Sequence, residues 1–496
     1  MKVRNQMNSN EFKLSAISRS ILSKSKSETD SLYCIMKKEI ICINLVIVGI
    51  SCLLTAGFSA SSSASVNVRS LHKIEADNAK LIRSGLTTHV SLQNSKALKV
   101  EIKKTATGYM FIRNGQPYFV KGAGGTSETE AIKIAGGNSF RTWDTEHGAA
   151  NLEQAEKLGL TVTMGLNVAR ERHGFDYNDA VAVKKQLDHL RKEVQKYKDH
   201  PALLAWGIGN ELNLDYKNPN VWSAVNDIAK MIHQEDPNHP ATTMLAGINQ
   251  IEIDHIKAKC PDLDFLSVQV YGGLAKVPDQ LQTAGWDGPY LVTEWGPTGH
   301  WECPKTSWGA PVEETSSEKA EVYKTRYEAS ILKDKNCLGS YVFLWGQKQE
   351  RTPTWYGLFT EAGETSEVFD VMQYEWSGKW PQNRAPNISS FTVDGKSARS
   401  SIHLNPEEKY LVVISVSDPD KDKLTIRWEL LPEATDLGQG GDRESRPAPI
   451  PNMVTTTSLT NALLSVPAKL GAYRLFVYVS DGHNHVATAN IPFMVH

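Results

Sequence analysis

The sequence predicts an α/β chain: a closed (β/α)8, or TIM, barrel followed by a smaller all-β sandwich. Three observations predict it. Eight short apolar runs alternate with helical patterns between about residues 118 and 380. The helical periodicity stops near Trp380, and alternating strands with turn residues take over. An uncharged apolar stretch precedes both regions and has the form of an export signal rather than of a folded element.

The segments follow in order. Residues 1–39 carry eight Lys or Arg and four Asp or Glu, while residues 40–65 carry no charge. Residues 40–58 (IICINLVIVGISCLLTAGF) are continuous and mostly apolar, and 59–65 (SASSSAS) are small. Basic, apolar and small segments in that order describe a secretory signal within a leader of residues 1–65. Met36-Lys37-Lys38 would open such a signal well. An uncleaved anchor is the alternative, because 19 residues just suffice to span a bilayer. Residues 66–96 are polar and unpatterned, a linker or extended arm. Residues 99–103 and 109–120 alternate apolar with polar side chains around Asn114-Gly115, a hairpin signal.

The eight apolar runs are 118–122, 139–143, 161–168, 203–211, 242–246, 265–272, 290–296 and 340–346. Between the third and fourth, Val183, Leu187, Leu190, Val194 and Tyr197 mark one face of a helix over 181–200. Val221, Val225, Ile228 and Ile232 repeat the pattern. A doubly wound open sheet is the alternative architecture, but it normally has fewer strands, and no Gly-rich phosphate loop opens a helix here. The barrel with its hairpin is assigned to 97–384. After the linker Trp380-Pro381-Gln382-Asn383-Arg384-Ala385-Pro386, residues 385–496 read as an immunoglobulin-like sandwich. Its strongest strands are 411–416, 424–430 and 473–479, with turns at Asp418-Pro419-Asp420 and Asp481-Gly482.

Composition narrows the function. With 54 basic and 56 acidic residues in 496, the formal charge is −2, and no segment interleaves basic with aromatic residues. A nucleic-acid partner is therefore not expected. Of six cysteines, Cys260, Cys303 and Cys337 follow the leader, so at most one bridge can form among them. No Cys or His spacing has the form of a zinc site, and no metal or cofactor is expected. Asp418, Asp420 and Asp422 could hold calcium, but they lack the closing Glu of a calcium loop and read as a polar turn. Twelve Trp is a high count, and Trp serves where a flat apolar ligand face must be held.

In a (β/α)8 barrel the chemistry sits at the C-terminal ends of the strands. The fourth run ends Trp206-Gly207-Ile208-Gly209-Asn210-Glu211 and the seventh ends Thr293-Glu294-Trp295-Gly296. Two carboxylates would thus enter one mouth from nearly opposite sides, as cleavage of a glycosidic bond requires. One protonates the leaving oxygen while the other attacks or supports the sugar cation. Arg141 and Trp143 end the second run, Tyr271 the sixth and Trp345 the eighth.

Those residues, in that order on those strands, resemble the glycoside hydrolases of clan A. The nearest likeness is to the barrel domain of family 2, over about residues 109–380. The resemblance implies a retaining enzyme with Glu211 as acid/base and Glu294 as nucleophile. It further implies Asn210 at the sugar 2-hydroxyl, Arg141 and Tyr271 holding Glu294 ionised, and Trp345 as floor under the reacting sugar. Trp143 and Trp295, with Trp301 and Trp308 in the loops, are candidates to stack on sugar faces. Each has a plainer alternative: Arg141 could pair with Asp144 or Glu146, the tryptophans could be loop core, and His147 could be a solvated loop residue. The chain departs from family 2 in leaving only about 30–45 residues between leader and first hairpin, where that family usually carries two β-domains. The module after the barrel is similar to the cadherin-like or polycystic-kidney-type modules of secreted carbohydrate enzymes. The expected partner is an oligo- or polysaccharide, with membrane contact only through an uncleaved anchor, and the expected location is secreted or periplasmic. A non-catalytic glycan-binding or envelope-assembly protein on the same scaffold is the alternative.

Overall fold

The computed structural model describes residues 97–496. The expected leader, anchor and arm lie outside those residues. Among the described residues no helix is long and apolar enough to cross a membrane.

The chain begins with an antiparallel three-stranded sheet, β1 (Val100–Lys104), β2 (Tyr109–Arg113) and β3 (Gln116–Tyr118). Asn114 and Gly115 both take positive φ, 49° and 78°, as the two-residue turn between β2 and β3 requires. This sheet plugs the N-terminal end of the barrel. Val100 and Phe111 pack against Leu204, Phe265, Leu291 and Leu338 at the starts of the barrel strands. The site is thereby left at the opposite end.

The barrel strands are β4 (Val120–Gly124), β5 (Ser139–Arg141), β6 (Thr161–Leu166), β7 (Leu203–Ile208), β8 (Ala241–Ala246), β9 (Leu266–Gln269), β10 (Tyr290–Trp295) and β11 (Cys337–Val342). All pair in parallel, and β11 returns to β4 through registers such as Gly339 with Val120, closing the barrel. That closure excludes the open-sheet alternative. Each of the eight apolar runs supplies one strand. The first begins two residues later than predicted because Tyr118 is spent on the hairpin, where it pairs with Phe111.

The helices follow the predicted faces. They are α1 (Thr129–Ile134), α2 (Gly148–Leu158), α3 (Ala180–Tyr197), α4 (Asn220–Glu235), α5 (Gln250–Lys259), α6 (Val277–Thr283), α7 (Ser316–Arg326) and α8 (Glu367–Ser377). Asp179 caps α3 by accepting from the amides of Val181 and Ala182, and a Thr315/Glu318 capping box starts α7. Leu190, Val194 and Tyr197 of α3 are buried, whereas Val181 at its first turn is exposed.

The last 110 residues form two four-stranded sheets packed face to face. One has β12 (Asn387–Val393), β14 (Lys409–Ser417), β17 (Asn461–Ser465) and β16 (Val454–Thr456) in that order. The other has β13 (Ile402–Leu404), β19 (Val486–Val495), β18 (Gly471–Ser480) and β15 (Thr425–Pro432). Their inner faces bury a separate core that includes Ile414, Leu464, Leu475 and Phe493. The sandwich is joined to the barrel by a buried polar cluster. Glu313 accepts from Lys319 Nζ (2.6 Å), from the Thr352 and Thr354 hydroxyls (2.6 and 2.9 Å), and from Asn490 Nδ2 of β19 (2.5 Å). Arg474 of β18 donates to Asn490 Oδ1, to the Pro311 carbonyl and to Glu433. A buried ion pair with every partner satisfied fixes orientation more than it adds stability.

Among the described residues, Cys260, Cys303 and Cys337 form no disulfide with one another. Asp418 Oδ1 accepts the amides of Asp420 and Asp422, as in a polar turn, and one carboxylate oxygen from each of the three lies within 4.8 Å of the others, so the calcium alternative stays open.

Candidate active site

A cavity of about 820 Å³ opens at the C-terminal end of the barrel, lined by Glu211 and Glu294 together with Trp143, Asn210, Tyr271 and Phe343. The chain enters it at β7 through a sharp bend. Gly209 has φ +70°, and a Cβ there would sit 2.7 Å from Leu212 Cδ1, so only glycine turns the strand inward at this point. Glu211 follows at φ +53°, a left-handed conformation uncommon for a side-chain-bearing residue. Its amide is held by the Met244 carbonyl at 3.0 Å.

Glu294 stands on β10, buried and heavily solvated by protein. Its Oε1 accepts from Trp143 Nε1 and Gln269 Nε2, each at 3.0 Å, and lies 3.3 Å from Arg141 Nη1. Its Oε2 accepts from the Tyr271 hydroxyl at 3.1 Å. Arg141 is fully buried and is itself positioned: Nη1 donates to the Thr293 carbonyl (2.8 Å) and Nη2 to Asn210 Oδ1 (2.7 Å). Its guanidinium lies 4.8 Å from the Trp143 ring centre. Arg141 therefore pairs with Glu294, not with Asp144 or Glu146. Asn210 Oδ1 also accepts from Gln269 Nε2 at 2.7 Å, so the Asn210 amide N–H groups are what it has left to offer a ligand.

The two carboxyls sit in different surroundings. Burial pushes the Glu211 carboxyl up to about 8, and the neighbouring Glu294 charge pushes in the same direction, against Arg141, Arg170 and Arg172. Among the described residues no side-chain donor bonds Glu211, whereas Glu294 has three hydrogen bonds and an ion pair. Burial, then the Glu294 charge, also raises the Tyr271 phenol well above its ordinary value, so Tyr271 remains a donor. His300, at the rim, is pushed down to about 4 by burial and by the positive charges of Arg351, Lys305 and Lys348, and it stands neutral beside the site.

The structure thus gathers Glu211, Glu294, Asn210, Arg141, Tyr271 and Trp143 into one constellation. Trp143 contributes an N–H to Glu294 rather than a stacking face alone. Two expected residues are elsewhere. Trp295 is fully buried and stacks on Tyr327 (5.7 Å) on the helix side of the sheet. Side chains alternate along a strand, so once Glu294 points into the barrel its neighbour must point out. Trp345 is also fully buried: it stacks on Trp376 of α8 (5.5 Å) and donates to the Glu128 carbonyl. Strand β11 ends at Val342, so Trp345 lies beyond the strand whose end it was expected to mark. Phe343 takes the place at the mouth that Trp345 was expected to fill, packing edge-on to Trp143 (6.0 Å) and Tyr271 (6.2 Å).

Among the loop candidates, Trp301 is exposed and lines the cavity, whereas Trp308 packs against His403 of the sandwich. His147 is absent from the cavity lining and precedes α2. Gln269 was missed from sequence. Its signal was a long polar side chain at the end of the sixth strand, where a barrel carries its chemistry. Arg170, Lys348 and residues 438–442 also line the cavity, and all lie in loops without a periodic pattern.

No known protein-family model matches the chain. Solved structures similar to it include Bacteroides uniformis beta-glucuronidase 2 covalently bound to cyclophellitol-6-carboxylate aziridine. That match has 14% identity, TM-score 0.46, 80% of this chain and 48% of the other. A putative beta-galactosidase from Bacteroides fragilis matches at 14% identity and TM-score 0.45, over 80% of this chain and 57% of the other. The Ruminococcus gnavus beta-glucuronidase matches at 15% identity and TM-score 0.45, over 57% of this chain and 53% of the other. The chain spans about half the length of these structures. The activities in those names belong to those proteins.

Proposed function

We propose that this chain is a retaining β-glycoside hydrolase acting on a β-linked glycan, with Glu294 as nucleophile and Glu211 as general acid/base. The observation that carries the reading is the unequal pair at the mouth. One carboxyl accepts hydrogen bonds from Trp143, Gln269 and Tyr271 and lies against Arg141, and the other is pushed up to about 8. Environments that drive two carboxyls apart assign the base and the acid.

In the first step Glu294 attacks the anomeric carbon, and Glu211 gives its proton to the leaving oxygen. The bond to the leaving sugar breaks, and a glycosyl ester forms on Glu294. Neutralising Glu294 removes the charge that adds to burial in raising Glu211, so the Glu211 pKa falls and its carboxylate accepts a proton from incoming water in the second step. Asn210, pinned by Arg141 and Gln269, presents its amide N–H to the sugar 2-hydroxyl, where a bond strengthens as positive charge grows on the ring. A second sugar in place of water would give transglycosylation. The steps call for no cofactor. The resemblance to clan A supports the same roles, and the apolar run at 40–58 supports export.

The test is hydrolysis of aryl glycosides and of a β-glucan, mannan and galactan panel, with the first-formed anomer followed by NMR. Retention is expected, with loss of activity in Glu294→Gln and Glu211→Gln. Wild-type activity in both variants, or a first product of inverted configuration, rejects the assignment. Glycan binding without turnover across the whole panel favours a scaffold protein instead.

A further inference from the structure

The sandwich reaches into the active site. Its connection between β15 and β16 runs from residue 433 to residue 453, which is 21 residues (453 − 433 + 1). Unstructured connections of that length in a compact domain usually serve a function. Residues 438–442 at its tip (GQGGD) line the cavity that holds Glu211 and Glu294. Gly440 is at φ +56°, and a Cβ placed on it would lie 2.6 Å from Leu214 Cδ2 and 3.5 Å from Glu211 Oε2. The backbone of the tip therefore passes so near the Glu211 carboxyl that a single added side-chain atom would touch it.

The tip is held there from several sides. Arg172 grips Asp442 with both terminal nitrogens (2.7 and 3.1 Å). Gln439 Nε2 donates to Asp215 (2.6 Å), and Lys348 Nζ donates to the Gly441 carbonyl (2.7 Å). Arg351 donates to the Gly438 carbonyl (3.1 Å) and to the buried Glu444 carboxylate (2.8 Å). The barrel residues in these bonds come from the loops after β6, β7 and β11. Ordering five loop residues costs about 1–2 kcal/mol each, and this many cross-links offset that cost at one place only.

We propose that this tip is the wall of the leaving-group side of the active site, so that the C-terminal sandwich, and not the barrel alone, determines which glycan is accepted beyond the bond cleaved. The inference rests on the assignment of Glu211 as acid/base, because the leaving sugar lies on that residue's side. The wall presents glycine backbone, the Gln439 amide, the Asp442 carboxylate and the Lys348 ammonium. Such groups suit the hydroxyls of a neutral sugar and give little to an apolar leaving group.

The test compares two substrate sets in the full chain: β-glucosyl, β-galactosyl and β-mannosyl fluorides, which carry no leaving sugar, and β-linked pentasaccharides of the same three sugars. In a Gln439→Ala/Asp442→Ala variant, kcat/KM for the pentasaccharide is expected to fall at least tenfold relative to that for the fluoride. An unchanged ratio overturns the proposal. Lys348→Ala removes a single strut and reads the same ratio where the double variant does not fold. Pentasaccharide binding is also measured by calorimetry in a Glu294→Gln background, where the same loop changes should weaken binding at least tenfold. That readout needs no turnover: unchanged affinity overturns the wall, whereas failure of the wild type to hydrolyse overturns the enzyme assignment. A protein that binds none of the pentasaccharides overturns both.

Discussion

Glu294→Gln should lower the pKa of Glu211. In the wild type, burial and the Glu294 charge both favour the protonated form of Glu211 and hold it up to about 8. The substitution keeps the shape and removes the charge. For carboxyls about 5.5 Å apart, the spacing of a retaining pair, and an effective dielectric of about 20, the repulsion is roughly 332/(20 × 5.5) ≈ 3 kcal/mol, or about 2 pKa units. Freed of Glu294, the surrounding Arg141, Arg170 and Arg172 act on Glu211 unopposed, so a fall of on the order of 1–2 units is expected, while burial keeps it above an ordinary carboxyl. The assay is the 13C shift of the Glu211 side-chain carboxyl across pH 4–10 in both proteins, with Glu211→Gln assigning the signal. A Glu211 titration that stays put or moves upward refutes the coupling and, with it, the exchange of acid and base roles. The same pKa has a sign in activity: Glu211 donates only when protonated, so kcat/KM should fall as pH rises through about 8. That limb should flatten for glycosides whose leaving group needs no proton.

Tyr271→Phe removes a 3.1 Å hydrogen bond to Glu294, and a bond to a charged group is worth about 1.5–3 kcal/mol, so kcat/KM should drop roughly 10- to 100-fold without loss of fold. Trp345→Ala empties a fully buried site against Trp376 and should cost about 3–5 kcal/mol in thermal or denaturant unfolding, with KM unchanged at a temperature where the variant is folded. A raised KM at full stability would return Trp345 to the sugar site. Asp370 of α8 is fully buried with its carboxyl pushed up to about 7, chiefly by burial, so its contribution to stability is intact below its unfolded value and is lost as pH rises through about 7. Asp370→Asn should therefore raise Tm relative to wild type at pH 8 by on the order of 2 °C or more, with a clearly smaller gain at pH 5. An equal gain at both pH values would contradict the burial argument. Glu313→Ala leaves Lys319 buried and unpaired and should destabilise by about 3–5 kcal/mol, seen as a lower Tm.

The legible parts of the sequence were those governed by local periodicity. The eight strand runs, the α3 and α4 faces and the Asn114-Gly115 turn were read from side-chain spacing and turn chemistry, because burial on one face imposes a period that the residues must carry. The carboxylates were legible for a related reason: an acidic residue ending an apolar strand has no packing role there. Alternation reaches only as far as the strand does. Applied to β10, with Glu294 inward, it sends Trp295 outward. It could not reach Trp345, which lies past the strand end at Val342.

The sequence by itself determined that strands and helices alternate into a barrel, that a β-module follows, and that Glu211 and Glu294 end the fourth and seventh strands. Only the tertiary structure decided which groups surround those carboxyls. Gln269, Trp143, Tyr271 and Arg141 converge on Glu294 from two other strands and their ends, and residues 438–442 come near Glu211 from more than 220 positions away in the chain. A strand's period is set by its own neighbours and is written locally. The environment that bonds one carboxyl from several sides and raises the pKa of its partner is a sum over residues that only closure of the barrel, and docking of the sandwich upon it, brings within reach.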